Sequence, residues 1–178
     1  AIMVVHLYGQ VAEIETIKKI ALKYKLFLIE DCAEAIGSIY KDKPVGVFGD
    51  AATFSFFGNK TISTGEGGMI LFKDENYAKK SRVLRDHGMN PDIKYWHEVP
   101  GFNYRLTNMQ AAIGRVQLRS LSEWTKTRQD NADFYSENLR GVVVPESDPR
   151  AEHVFHQYTI RIVDLDRDKF AEELASRG

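Results

Sequence analysis

Two short apolar runs that flank one amphipathic segment constrain the fold most strongly. The runs lie at residues 3–7 and 26–29, and the segment between them carries apolar side chains from Val11 to Tyr24 at helical spacing. A strand, a helix and a second strand predict a right-handed βαβ unit, because parallel strands need a crossover connection. Further strand-like runs at 52–56 and 68–72 extend the pattern. The sequence therefore predicts an α/β fold with a mainly parallel sheet.

The rest of the chain predicts further helices and a second region. A helix is expected from Asp74 to about residue 87, and a long helix follows whose apolar stripe, Leu106 to Trp124, is interpreted as its core face. Turn residues indicate a linker at 141–149, and alternation at 156–163 predicts a strand. We accordingly divide the chain into a large domain, 1–140, and a linker with the start of a smaller α+β domain, 141–178.

Composition excludes several classes of protein. The formal net charge of −1 gives no basic footprint for nucleic acid or for an anionic membrane surface. No apolar run approaches the roughly 18 residues of a membrane span. Cys32 is the only cysteine, which rules out a disulfide framework and favours a reducing, cytoplasmic location. Both ends resemble cut elements, so we expect a piece of a longer protein.

Three residues stand where ligands of open α/β sheets bind, beyond the carboxyl ends of strands. Asp31 follows a buried run and can pair with a protonated pyridine nitrogen, although taken alone its position favours a helix cap or turn residue. Lys60 follows the third run among aromatic residues, where desolvation makes an amine more nucleophilic. It also fits a solvent-exposed charge. Ser55 can donate its hydroxyl to a phosphate.

Other local features are ambiguous or uninformative. The glycine-rich segment 64–68 lets the backbone approach a ligand, but it also fits a strained connection between two strands. The segment 95–97, Tyr-Trp-His, can border a sugar pocket or anchor its loop to the core. The histidines have no metal-ligand spacing, and we expect no metal site.

Taken together, the motifs resemble those of the DegT-type nucleotide-sugar aminotransferases. The matching segments occur in collinear order and are EDCAE at 30–34, GD at 49–50, FSFFGNKTISTGEGG at 54–68, RDHG at 85–88 and GFNYRLTNMQAAIG at 101–114. The resemblance implies the core of the large domain of aspartate-aminotransferase-like, fold type I transferases, with helices on both faces of the sheet. It also implies pyridoxal 5'-phosphate as cofactor.

The resemblance also assigns roles to individual residues. Lys60 would form the Schiff base with the cofactor and move protons between the donor and the cofactor. Asp31 would pair with the pyridine nitrogen, and Ser55 would hold the phosphate. Glu34 would lie near the ring 3-hydroxyl, where many relatives carry Gln or His. Asn103 would reach the phosphate of the neighbouring subunit, so the active site would be shared within a homodimer.

The implied reaction moves an amino group from an amino acid, glutamate by resemblance, to a nucleotide-linked keto sugar. Motif details are most similar to members that act on GDP-linked 4-keto-6-deoxymannose. A UDP- or dTDP-linked 3- or 4-keto sugar is the alternative substrate. A non-catalytic fragment that retains the fold and the dimer interface is an alternative of another class. A flavodoxin-like or Rossmann domain also fits the βαβ pattern, but it leaves Lys60 unexplained.

Overall fold

The computed structural model describes all 178 residues and has an α/β architecture built on one four-stranded sheet. The strand order is β1-β2-β5-β6. The strands of this sheet are β1 (Ile2–Val5), β2 (Leu28–Asp31), β5 (Ala51–Ser55) and β6 (Gly68–Phe72); β3 (Ile39–Tyr40), β4 (Lys43–Pro44) and β7 (Ala151–Glu152) form a second sheet; and the helices are α1 (Ile14–Tyr24), α2 (Glu75–Arg85), α3 (Asn108–Arg119), α4 (Leu121–Asn138) and α5 (Arg167–Arg177).

The main sheet is mostly parallel, as the sequence predicts. Strands β1, β2 and β5 run parallel, and only β6 pairs antiparallel with β5. Helix α1 makes the crossover from β1 to β2. The register aligns Val5 with Asp31 and Asp31 with Thr53, so the carboxyl ends of the three parallel strands meet at one edge. The predicted α/β fold class is confirmed.

The core lies on one face of this sheet. Successive side chains of a strand point to opposite faces, and Val4, Leu28 and Ala52 share the face that α1 covers. From α1, Ile14 and Ala21 are buried in the same cluster. This apolar packing holds the crossover helix on the sheet and so fixes where the edge of the parallel strands lies.

A fully buried carboxylate, Glu30, joins three segments of this core. Its Oε1 accepts hydrogen bonds from the backbone N–H groups of Phe48 (2.8 Å) and Gly49 (2.6 Å). Its Oε2 accepts from the N–H of Gly46 (2.9 Å) and lies 3.1 Å from His6 Nε2. Burial raises the pKa of a carboxyl group, but the hydrogen bonds from His6, Gly49 and Gly46 outweigh it and hold the pKa of Glu30 below its ordinary value.

A small antiparallel sheet joins residues 39–44 to residues 151–152. Strands β3 and β4 form a hairpin whose turn residues, Lys41 and Asp42, both have positive φ. Strand β7 adds to the other side of β3 through the pairs Ile39–Glu152 and Tyr40–Ala151. Residues beyond 140 therefore contact the first part of the chain, and the division at 140 stays a prediction.

The predicted long helix is two helices, and the middle of its expected core face is exposed, whereas Leu106 and Leu121 are partly buried. Helices α3 and α4 meet at Ser120, and Met109 is 77% exposed, with Ile113 and Val116 also exposed. The side of α3 that approaches the connection into β6 instead carries Gly114 and Gln117, and the Gln117 amide is hydrogen-bonded to the backbone of Ser63. A Cβ on Gly114 would lie 3.1 Å from Thr64 Cγ2. The close approach of the backbone selects this face, which a count of apolar residues does not reveal.

The predicted strand at 156–163 is also wrong. Its only β contact is an isolated bridge between Arg161 and Val143. The backbone enters the segment through Phe155 at φ 45°, a left-handed conformation that ends an extended run. Val154 and His156 are buried before any regular pairing begins.

None of the helices is both long enough and apolar enough to cross a membrane.

Replacing Glu30 by Ala tests the buried network. The change leaves three backbone N–H groups and the His6 ring without their acceptor, so we expect the free energy of unfolding to fall by about 3 kcal/mol or more. Urea unfolding measures it. Glu75→Ala, which removes an exposed pair with Lys79, is the control and should cost less than about 1 kcal/mol. Equal losses in both variants would contradict the role of Glu30.

Candidate active site

Two of the predicted site residues lie at the carboxyl edge of the parallel strands. Asp31 ends β2 and Ser55 ends the neighbouring strand β5, on the sheet face opposite Glu30. Asp31 Oδ1 accepts a hydrogen bond from Ala33 N–H (3.0 Å) and a longer one from the Thr53 hydroxyl (3.4 Å). These contacts fix the carboxylate and leave Oδ2 outside the hydrogen bonds, so Asp31 can accept a proton-bearing nitrogen from a ligand.

Lys60 and Glu34 form an ion pair next to this edge. Lys60 Nζ lies 3.6 Å from Glu34 Oε1, and the two side chains are 14% and 21% exposed. The lysine therefore is not a free surface charge, in agreement with the functional interpretation of its position. A backbone hydrogen bond from Lys60 N–H to Phe57 carbonyl (3.0 Å) closes the turn that carries it. The pair places an amine and a proton-accepting carboxylate side by side.

A strained turn after β1 fixes the other oxygen of Glu34. Tyr8, at φ 58°, donates its N–H to Glu34 Oε2 (2.8 Å), and its carbonyl accepts from Gln157 N–H (3.3 Å). The next residue, Gly9, has φ 98°, and a Cβ there would lie 2.8 Å from Val154 Cγ2. Only glycine fits this position. The turn thus joins Glu34 to the segment 153–157, a contact that sequence analysis did not identify.

The remaining predicted site residues are more dispersed. The Ser55 hydroxyl accepts a hydrogen bond from Phe57 N–H at 3.3 Å, close to the turn that carries Lys60. Asn103 is exposed and lies opposite Asp86 in an isolated bridge beyond α2. It makes no hydrogen bond to the other four residues. The structure therefore brings Asp31, Glu34, Ser55 and Lys60 to one edge, whereas Asn103 is exposed and bridges to Asp86.

The glycine-rich segment 64–68 forms a tight connection into β6. The Thr64 hydroxyl donates to the Glu66 carbonyl (2.7 Å), and Gly67 adopts φ 140°. A Cβ on Gly67 would meet Leu106 at 2.7 Å. These contacts correspond to the strained strand connection that the sequence left open as one of two interpretations.

The buried histidine of the core belongs to a structural network. His6, Glu30 and Cys32 bring ligand atoms within 4.8 Å of one another. Both His6 nitrogens are in hydrogen bonds, Nε2 with Glu30 and Nδ1 with Ala12 N–H (3.2 Å), and burial raises the pKa of the Cys32 thiol. The donor atoms are already engaged or protonated, so we assign this cluster to folding.

The loop at 95–97 is held by its histidine. His97 Nδ1 lies 2.9 Å from the carbonyl of His87, whereas Tyr95 and Trp96 are exposed. This contact supports the anchoring interpretation for His97. A sugar contact by Tyr95 or Trp96 stays a prediction.

The α/β fold described above is shared with solved aminotransferases. A solved structure of a DegT DnrJ EryC1 StrS aminotransferase from Brucella abortus superposes with a TM-score of 0.92 at 32% identity, over 100% of this chain and 48% of that one. The chain belongs to the DegT/DnrJ/EryC1/StrS aminotransferase family, which it matches over residues 1–178. Enzymes of this family depend on pyridoxal phosphate.

Two relatives show the range of substrates near this sequence. A GDP-perosamine synthase of Caulobacter vibrioides is 44% identical over 185 residues, covering 100% of this chain and 50% of the relative. A UDP-N-acetyl-3-dehydro-alpha-D-glucosamine 3-aminotransferase of Acidithiobacillus ferrooxidans is 41% identical, covering 96% of this chain and 47% of the relative. The chain thus spans about half the length of these relatives.

A pH titration of stability tests the packing of the segment 153–157. Burial lowers the pKa of His153 from 6.5 to about 4. The unfolded chain therefore binds a proton near pH 6.5 that the folded chain does not bind until about pH 4. Because of this difference, His153 contributes about 3 kcal/mol to the free energy of unfolding. The contribution is complete above pH 6.5 and is lost as the pH falls to 4.

We expect the His153→Leu variant to lose less unfolding free energy than the wild type between pH 6.5 and pH 4. Urea unfolding at a series of pH values measures both slopes. His87→Gln, at an exposed histidine, is the control and should keep the wild-type slope. Identical slopes in all three proteins would show that His153 titrates alike in the folded and unfolded chains.

Proposed function

We propose that the protein carries an amino group from an amino acid to the keto group of a nucleotide-linked sugar, with pyridoxal phosphate held at Lys60. The observation that carries this proposal is the Lys60–Glu34 pair, 3.6 Å apart, at the edge where Asp31 ends its strand. Membership of the aminotransferase family supports it. We state the activity of the whole protein as a proposal, because this chain spans only about half the length of its relatives.

The residues present fit this cofactor. Asp31 has a carboxylate oxygen outside its internal hydrogen bonds, which suits a protonated pyridine nitrogen. Ser55 offers a hydroxyl that could hold the phosphate, and Glu34, beside the lysine, offers a carboxylate that could accept from the ring hydroxyl that the resemblance assigns to it. When bound, the cofactor supplies an electron sink for the carbon that loses its proton.

The chain's own residues supply orientation and proton handling. Lys60 holds a proton on Nζ while the Glu34 carboxylate faces it, and loss of that proton turns Lys60 into the nucleophile and base of the site. Tyr8 N–H keeps Glu34 in place, so the pair is preorganised by backbone. Thr53 and Ala33 hold Asp31 in the same way. Each charged group therefore has a fixed partner before any ligand arrives.

For the sugar we propose GDP-linked 4-keto-6-deoxymannose, with GDP-perosamine as product and glutamate as donor. The Caulobacter vibrioides relative, a GDP-perosamine synthase, supports this substrate. The Acidithiobacillus ferrooxidans relative favours the alternative, a UDP-linked 3-keto sugar. A non-catalytic fragment that keeps only the fold is the alternative of another class.

An absorption spectrum tests the proposed role of Lys60. We expect the full-length gene product to show a visible band with pyridoxal phosphate, and borohydride to fix the cofactor covalently on Lys60. The Lys60→Ala variant should lose both signals, because it lacks the amine. Lys79→Ala removes an exposed, ion-paired lysine and is the matched control.

The same protein is then supplied with glutamate and three keto sugars linked to GDP, UDP or dTDP. Amination of the GDP-linked sugar in preference to the others supports the substrate proposal, and preference for another nucleotide favours the alternative. A visible band without amination of any sugar would contradict the aminotransferase proposal. No band at all would contradict the cofactor site.

We also propose that two copies share each site, with Asn103 of one copy reaching the cofactor phosphate of the other. The exposed position of Asn103, which makes no hydrogen bond to Lys60, supports a role outside its own site. Mixing the Lys60→Ala and Asn103→Ala variants tests this. Random exchange should restore about a quarter of wild-type sites, since each mixed dimer has one intact site. No recovery in a mixture shown to contain mixed dimers would place Asn103 in its own subunit's site.

A further inference from the structure

One buried histidine near Lys60 has no role in the fold that its hydrogen bonds explain. His156 is 8% exposed, and its Nε2 is buried without a hydrogen-bond partner in the protein. A buried polar atom without a partner costs about 1–3 kcal/mol. His153, three residues earlier, differs in this respect, because its Nδ1 accepts from Phe155 N–H (2.9 Å). The unpaired Nε2 of His156 therefore needs a hydrogen-bond partner that is not part of this chain's core.

The backbone of His156 is fixed beside the candidate active site. Arg128 Nη1 lies 3.3 Å from both the Phe155 and His156 carbonyls. On the other side, Gln157 N–H donates to the carbonyl of Tyr8, whose own N–H holds Glu34. The turn that orients Glu34 thus also positions the backbone of His156.

The charges around the imidazole favour an anionic ligand. Burial and the positive charges of Lys60 and Arg128 lower the pKa of His156, while Glu34 opposes them. The imidazole is therefore neutral at neutral pH and can donate from one ring nitrogen. Glu34 is paired with Lys60, so the guanidinium of Arg128 is the charge without a carboxylate partner among these three groups. A neutral donor among excess positive charge matches a carboxylate oxygen.

We propose that His156 Nε2 donates a hydrogen bond to the carboxylate of the amino-acid donor when the donor is bound at Lys60. This inference rests on the proposed aminotransferase function and adds a donor-binding residue to it. It explains why a buried nitrogen is kept without a partner in the fold. It also separates the roles of the two neighbouring histidines: His153 packs the segment, and His156 binds.

The test is a titration of the full-length gene product, loaded with pyridoxal phosphate, by L-glutamate in the absence of any sugar. The donor converts the visible band, and the concentration at half conversion is read. In His156→Leu we expect an unchanged band before glutamate is added and a half-conversion concentration raised about tenfold or more, as for a lost hydrogen bond to a charged group. His156→Gln, whose amide can donate, should recover most of the loss.

Controls separate binding from structure. His153→Leu alters the neighbouring packed histidine and should leave half conversion unchanged. His156→Ala is read in the same way and keeps the test decisive if the leucine variant does not fold. An unchanged half-conversion concentration in the folded Leu or Ala variant, or an equal rise in His153→Leu, overturns the inference. Absence of the visible band in the wild type overturns the proposed function itself, and this inference falls with it.

Discussion

The buried carboxylate of Glu30 is the interaction on which the rest of the structure depends. A buried charge is tolerated only when hydrogen bonds replace its water, and Glu30 receives them from three backbone N–H groups and His6. Those partners belong to the end of β1 and to the turn that enters β5. The carboxylate, which lies on β2, therefore links the end of β1 to the entrance of β5. Because side chains alternate along β2, the same constraint orients Asp31 to the opposite face.

This arrangement of strands positions the side chains of the candidate active site. Asp31 is held by Thr53 on the neighbouring strand, and Glu34 is held by the Tyr8 turn that follows β1. Lys60, from the loop after β5, completes the ion pair with Glu34. Each contact joins segments more than 20 residues apart, so a local change in any of these strand ends moves a charged group of the site. Preorganisation here comes from the backbone and from the register of the parallel strands.

Sequence patterns predicted the parallel sheet, the crossover helix and the position of Lys60, because these depend on local periodicity and on the chain order of strand ends. They did not predict the contact of Glu34 with the Tyr8 turn. They also did not predict that His156 lies beside the candidate active site, since both arrangements join residues distant in sequence. The apolar stripe of α3 gave a wrong prediction of the buried face of the helix for a related reason. Periodicity shows which residues share a face, whereas the backbone approach at Gly114 decides which face is covered.

The proposal that two copies share each site gives the exposed apolar stripe of α3 a role as the interface between them. Met109, Ile113 and Val116 project from one helix, and contiguous apolar surface of this kind marks an interaction site more often than a solvent-facing one. Asn103 lies on the connection that leads directly into this helix. A second copy packed on the stripe would cover these side chains and bring Asn103 to the interface. The stripe therefore agrees with the proposed shared site.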